Sequence, residues 1–175
     1  MKATRIFLLS IFLTALPVLL LAQNEIEREN LSLEGLQQIG FTANLEGSRT
    51  VTSDTSLTPS IIRQQAVNQL VQAELQYVSD EEVRSSTEIP FLYMHINMLE
   101  MENGLVPFSI ELRFYQPVKL VLNRDLETSA STWETGMVGM VSLDRLPVIG
   151  EAAGNLVKEF IDDFHQSNHT GRVIR

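Results

Sequence analysis

Apolar and polar residues alternate along several stretches of the chain, and two longer stretches repeat at three- and four-residue steps. From Leu36 the alternation places Ile39, Phe41, Ala43 and Leu45 on one side and Gln38, Gly40, Thr42 and Asn44 on the other, which predicts a half-buried strand. A Ser/Thr-rich loop follows over Gly47 to Ser56. Leu57-Thr58-Pro59 then opens a helix, with Thr58 as N-cap and Pro59 at the first helical position, where a missing N–H costs nothing. Ile62, Ala66, Val67, Leu70, Val71, Leu75 and Val78 form its apolar stripe. Residues 79–90 read as an acidic loop closed by Pro90.

Three strands come next. Residues 91–101 put Leu92, Met94, Ile96 and Met98 on one face and Phe91, Tyr93, His95, Asn97 and Leu99 on the other. Glu102-Asn103-Gly104 is a turn signal. In 108–122 every even position but Gln116 is apolar: Phe108, Ile110, Leu112, Phe114, Val118, Leu120 and Leu122. Ser109, Glu111, Arg113, Tyr115 and Lys119 take the odd ones, and Pro117 suggests an edge or a bulge. Thr132 to Ser142 is a fourth strand, weakened by Gly136 and Gly139. The last helix carries Ile149, Ala153, Leu156, Val157, Phe160, Ile161 and Phe164 inward. The predicted order is β-α-β-β-β-α. It implies a two-layer α+β domain, with a four-stranded, mainly antiparallel sheet and both helices on one face. The last three strands form an antiparallel meander, and a crossover helix joins the first two.

Residues 1–22 have the character of a secretory signal peptide: Lys2 and Arg5, then the apolar run Ile6 to Leu21, then Ala22 before the expected cut. The 16-residue run would span about 24 Å as a helix, short of a bilayer core of about 30 Å. Export to the periplasm or the medium is therefore expected, with no stable membrane span after cleavage. The domain plan is signal peptide 1–22, flexible lead-in 23–33, one α+β domain 34–166 and a frayed tail 167–175.

The whole chain of 175 residues carries a net charge of −9, which becomes −11 without the first 22 residues. That acidity argues against nucleic acid, because a phosphate backbone needs clustered Lys and Arg. With no cysteine, disulfides, thiolate zinc sites and cysteine nucleophiles are excluded. His165 and His169 have metal-like helical spacing, but histidines near a helix end are expected from the dipole alone, so no metal is expected. His95 lies mid-strand with no nucleophile beside it in sequence, and the Glu81-Glu82 and Glu100/Glu102 pairs read as solvated charge. No catalytic motif is present, so the expectation is a protein that is not an enzyme and needs no cofactor. A hydrolase using His95 with carboxylates of the acidic loop is the catalytic alternative.

Trp133, the single tryptophan, reads first as a packed indole with its N–H bonded. If exposed, it groups with Phe91, Tyr93, Leu99 and Tyr115 on the sheet face away from the helices. The candidate binding surface is then Phe91, Tyr93, His95, Leu99, Arg113, Tyr115 and Trp133. A second reading makes the domain a small-ligand or lipid carrier, with Met94, Met98, Met137 and Met140 lining a pocket between helices and sheet.

The strand GLQQIGFTANL, the LTP helix start, PFSIELRFYQPVKLVLNR, STWETGMVG and the helix ending FIDDF together resemble a group of small exported bacterial α+β domains of unknown function. The resemblance implies a periplasmic or secreted domain and carries no activity. The element order is also similar to that of small envelope-assembly and transport accessory proteins. The expected function is a non-catalytic interaction domain of the bacterial envelope, with an envelope protein as partner.

Overall fold

The computed structural model describes residues 27–54 and 56–169. The expected signal peptide lies outside these residues. Five strands form one sheet in the order β2-β1-β3-β4-β5: β1 (Gln38–Gly47), β2 (Gln76–Val78), β3 (Phe91–Met98), β4 (Leu105–Lys119) and β5 (Glu127–Ser142). The helices are α1 (Arg49–Thr52), α2 (Pro59–Gln72), α3 (Asp80–Ser85) and α4 (Pro147–His169), with a 3-10 turn at Leu143–Arg145 before α4. The mixed α+β class and the β3-β4-β5 antiparallel meander agree with the sequence reading. β1 runs parallel to both β2 and β3.

β4 organises the sheet. Val106, Phe108, Ile110, Leu112 and Phe114 are buried on the inner face, the last four opposite Met98, Ile96, Met94 and Leu92 of β3. Ile62, Ala66 and Leu70 of α2 and Ile149, Ala153, Leu156, Val157 and Phe160 of α4 close over them. At about 1.5–3 kcal/mol for each side chain taken from water, the five β4 positions together contribute on the order of 10 kcal/mol, comparable to the net stability of a whole domain.

The expected four-stranded, mainly antiparallel sheet is corrected to five strands with two parallel and two antiparallel pairings, and four further features depart from the sequence reading. First, α2 stops at Gln72 instead of running to Val78. Glu74 takes a left-handed φ of 64°, and the Leu75 N–H reaches back to the Leu70 carbonyl at 3.1 Å. This is a Schellman closure with Glu where Gly is usual, so the stop carries no glycine signal. Beyond it Leu75 and Val78 are buried, Val78 from the short edge strand β2 and not from the helix, while Val71 is exposed.

Second, the acidic segment is not a loop throughout. Ser79 and Glu82 form a reciprocal capping box that starts α3. The Ser79 hydrogen bonds hold the Glu82 carboxyl below its ordinary range. A lowered carboxylate pKa stabilises above the unfolded value, and this contribution is lost as pH falls through the folded one. α3 lies on the face opposite α2 and α4, with Val83 seated on Gly40. A Cβ at Gly40 would fall 2.2 Å from Val83 Cγ2. The two helices expected on one face are there as α2 and α4, and α3 is an additional helix on the other. The chain crosses from β1 out to β2 and then back past β1 to β3. Two crossovers in opposite directions keep the same hand only by passing over opposite faces.

Third, β4 ends at Lys119, so Leu120 and Leu122 are exposed where burial was expected. β3 pairing stops at Phe91↔Tyr115, and beyond that point β4 has only β5 beside it. The hairpin continues as a two-stranded arm.

Fourth, the described part of the expected lead-in, residues 27–33, is anchored. Residues 27–31 are helical and Leu33 is fully buried. The Asn168 amide donates to the Leu33 carbonyl at 3.0 Å, and Ser167 Oγ to the Asn30 carbonyl at 2.7 Å, so α4 holds this segment through part of the expected tail.

Leu112→Asp is expected to abolish folding, because the site is fully buried and offers the charge no partner. Arg113→Ser, on the opposite face of the same strand, should cost less than about 1 kcal/mol. Thermal unfolding of both variants checks the register. Glu74→Gly should raise stability by about 0.5–1 kcal/mol by relieving the left-handed φ, read as a higher urea midpoint.

Candidate functional site: the outer face of the sheet

The face opposite α2 and α4 is covered by α3 only near the start of β1. The rest is built from side chains that strand pairing brings into rows. One row runs Thr42, Tyr93, Arg113, Glu134; the next runs Asn44, His95, Glu111, Gly136; a third runs Glu46, Asn97, Ser109, Val138. Phe91 and Tyr115 pair in register and stack with centroids 5.3 Å apart and planes 12° from parallel.

Arg113 is the hub of this face. Its Nη2 lies 2.7 Å from Glu111 Oε2, and its Nε 3.5 Å from Glu134 Oε2. A hydrogen bond to the Tyr115 hydroxyl, reinforced by Glu111, holds the guanidinium above its ordinary pKa. Two neighbouring carboxylates and one phenol thus fix the orientation of a half-exposed planar cation. His95 tilts against Tyr93 with ring centroids 6.1 Å apart, and its Nε2 lies 3.5 Å from Glu46 Oε2. That Nε2 is shielded from solvent and has no hydrogen-bond partner among the described residues. Its carboxylate neighbour comes from β1, not from the acidic segment that the hydrolase alternative invoked. A shallow hollow between Arg113 and the sheet edge is lined by Glu111, Glu134, Thr135 and Gly136.

Five of the seven predicted surface residues come together here: Phe91, Tyr93, His95, Arg113 and Tyr115. Leu99 stands apart from these five, at the far end of the same face. It lies just past the end of β3, exposed in the turn, with its N–H bonded to the Pro107 carbonyl. Trp133 is on the other face. It is 3 % exposed, donates from Nε1 to Asp163 Oδ2 at 2.9 Å, and meets Phe160 edge-on at 5.1 Å. The packed indole is therefore the structure's answer, and Trp133 leaves the binding surface. The pairing of Phe114 with Trp133 puts odd β5 residues on the same face as even β4 residues.

The sequence reading missed Glu46, Glu134, Val138 and Met140 on this face. The even positions of β5 were the available signal, and they needed only the β4–β5 register to be assigned. It also missed the arm. At the tip Val121 and Leu122 are 84 % and 101 % exposed, with Leu120 and Leu126 partly so.

Trp133→Phe should retain the ring contact with Phe160 but leave the Asp163 carboxylate without its donor. A loss of about 1–2 kcal/mol is expected, measured as a lower urea midpoint. Asp163→Asn, which keeps an acceptor, should lose less.

Among the described residues no helix is long and apolar enough to cross a membrane. No protein-family model matches the chain, and no curated protein matches it. Solved structures do. The PelC dodecamer from Paraburkholderia phytofirmans aligns over 74% of this chain and 88% of its own, with 13% identity and a TM-score of 0.42. A single-residue variant of that dodecamer aligns at 11% identity over 75% and 90%, also with a TM-score of 0.42. The hypothetical protein CT253 from Chlamydia trachomatis aligns over 75% of this chain and 99% of its own, with 8% identity and a TM-score of 0.45.

Proposed function

We propose that the protein is a non-catalytic, exported interaction domain of the bacterial envelope that receives a protein partner on the outer face of its sheet. One observation carries this reading: the Tyr93–Arg113–Glu134 row beside the stacked Phe91 and Tyr115, which border the seat of α3 at Gly40. Tyrosine and arginine held rigidly by their neighbours are the side chains that most often anchor protein interfaces, since little rotamer freedom remains to be lost on binding. The three rows of this face set Glu46, Glu111 and Glu134 against Arg113 as their one fixed cation, an acidic balance that disfavours a strongly anionic ligand. Localisation in the periplasm or outside the cell follows from the signal-like residues 1–22 and belongs to the same proposal.

The carrier reading has less support. Met94 and Met98 are packed in the core, Met137 sits at the sheet edge on the inner face, and Met140 is exposed on the outer one. The four side chains do not converge on one pocket.

Affinity capture from envelope extracts of the source cell, with Arg113→Glu and Tyr93→Ala run in parallel, tests the proposal. The native chain should retain a specific partner, and each variant should lose at least about ten-fold in retention while unfolding at nearly the native temperature. Absence of a partner, or a partner held equally by both variants, would count against the face.

A further inference from the structure

β5 is the outermost strand and pairs only with β4, so one side of its backbone has no strand beside it, and Ser32 Oγ reaches that backbone at the Thr132 carbonyl, outside the stretch 133–142. Such an edge is a template for another strand unless it is short, charged or broken by proline. β2, at the other margin, is three residues long. Over residues 133–142 of β5 there is no proline and no lysine, and Glu134 is the only charge. Met137, Val138 and Met140 are exposed there by 37 %, 82 % and 57 %.

This stretch is complementary to itself. Read antiparallel about Val138, the run Gly136-Met137-Val138-Gly139-Met140 sets Gly136 opposite Met140, Met137 opposite Gly139, and Val138 opposite its own counterpart. Each methionine meets a glycine, which offers no competing side chain. Thr135 then faces Val141 and Glu134 faces Ser142, so no like charges oppose. Neighbouring registers lose the fit. Centring on Met137 sets Met140 against Glu134, and centring on Gly139 opposes the two glycines while crowding Met137 against Val141. The inner face adds a second point. The Phe108 ring fills the space over Gly139, where a Cβ would come 2.5 Å from its Cζ. The opposing Met137 thioether would therefore arrive beside an aromatic ring, a favourable contact. The register shift between Phe114 and Tyr115 marks where a straight pairing ends.

We propose that β5 pairs antiparallel with β5 of a second copy, with Val138 on the two-fold axis, joining two sheets into one. This goes beyond the partner-binding reading and does not depend on it, because the outer faces of both copies remain free.

The chain has no cysteine, so an introduced one can link only to its counterpart. Residues opposite each other in an antiparallel pair have Cα atoms about 4.5–5.5 Å apart, within disulfide range. Val138→Cys should give a covalent dimer on mild oxidation. Met140→Cys, about 13 Å from its own counterpart at the rise of a strand, should not. Chains carrying Glu134→Cys and Ser142→Cys should cross-link when mixed, and neither alone. Light scattering on the purified protein should give twice the chain mass, falling to the chain mass for Val138→Glu with unchanged circular dichroism. A native mass of one chain at sub-millimolar concentration would overturn the proposal, as would Met140→Cys linking as readily as Val138→Cys. Neither result bears on partner capture by the outer face.

Discussion

The two-residue alternation of β4 between Val106 and Phe114 is the constraint on which the rest of the molecule depends. This strand lies between β3 and β5 and has its inner side chains under α4. A shift of one residue would turn five apolar groups to water and bring Glu111 and Arg113 under the helices. Because β3 and β5 take their register from it, the same alternation that fills the core also assembles the outer face. Arg113 meets Tyr93 and Glu134 because Leu112 and Phe114 must point inward.

The outer face owes its partial exposure to chirality. The return path from β2 to β3 has to cross β1, and a consistent hand sends it over the side away from α2. α3 is the result. Gly40 makes room for it, and the Arg63–Asp80 ion pair at 2.7 Å ties its first residue back to α2 around the sheet margin. The remaining outer surface is bounded by α3 at one side and by the bare β5 edge at the other. Two interaction surfaces can therefore coexist, one on the face and one along the edge.

The segments outside the central alternation are secured by polar contacts that are long-range in sequence. The Gln116 amide donates to the Ser32 carbonyl at 3.1 Å and to Thr132 Oγ1 at 2.7 Å, linking the base of the hairpin arm to the segment before β1. Trp133 and Asp163 join the edge strand to α4 in the same way.

The sequence by itself determined the elements whose burial repeats with a clear period: β1, β3, the inner half of β4, α2 up to its last turn, and α4. Periodicity reports which side of an element is dry, and that follows from local chain geometry. Five of the seven candidate face residues were legible for the same reason, since they are the odd positions of β3 and β4. The tertiary structure decided what depends on contacts between distant residues. It ended α2 at a left-handed glutamate, drew a three-residue strand from what read as helix, and seated a helix on Gly40. It also buried Leu33 beneath α4 and turned Trp133 inward through its pairing with Phe114. None of these leaves a repeat in the chain, because each is set by a single contact or by the handedness of a crossover.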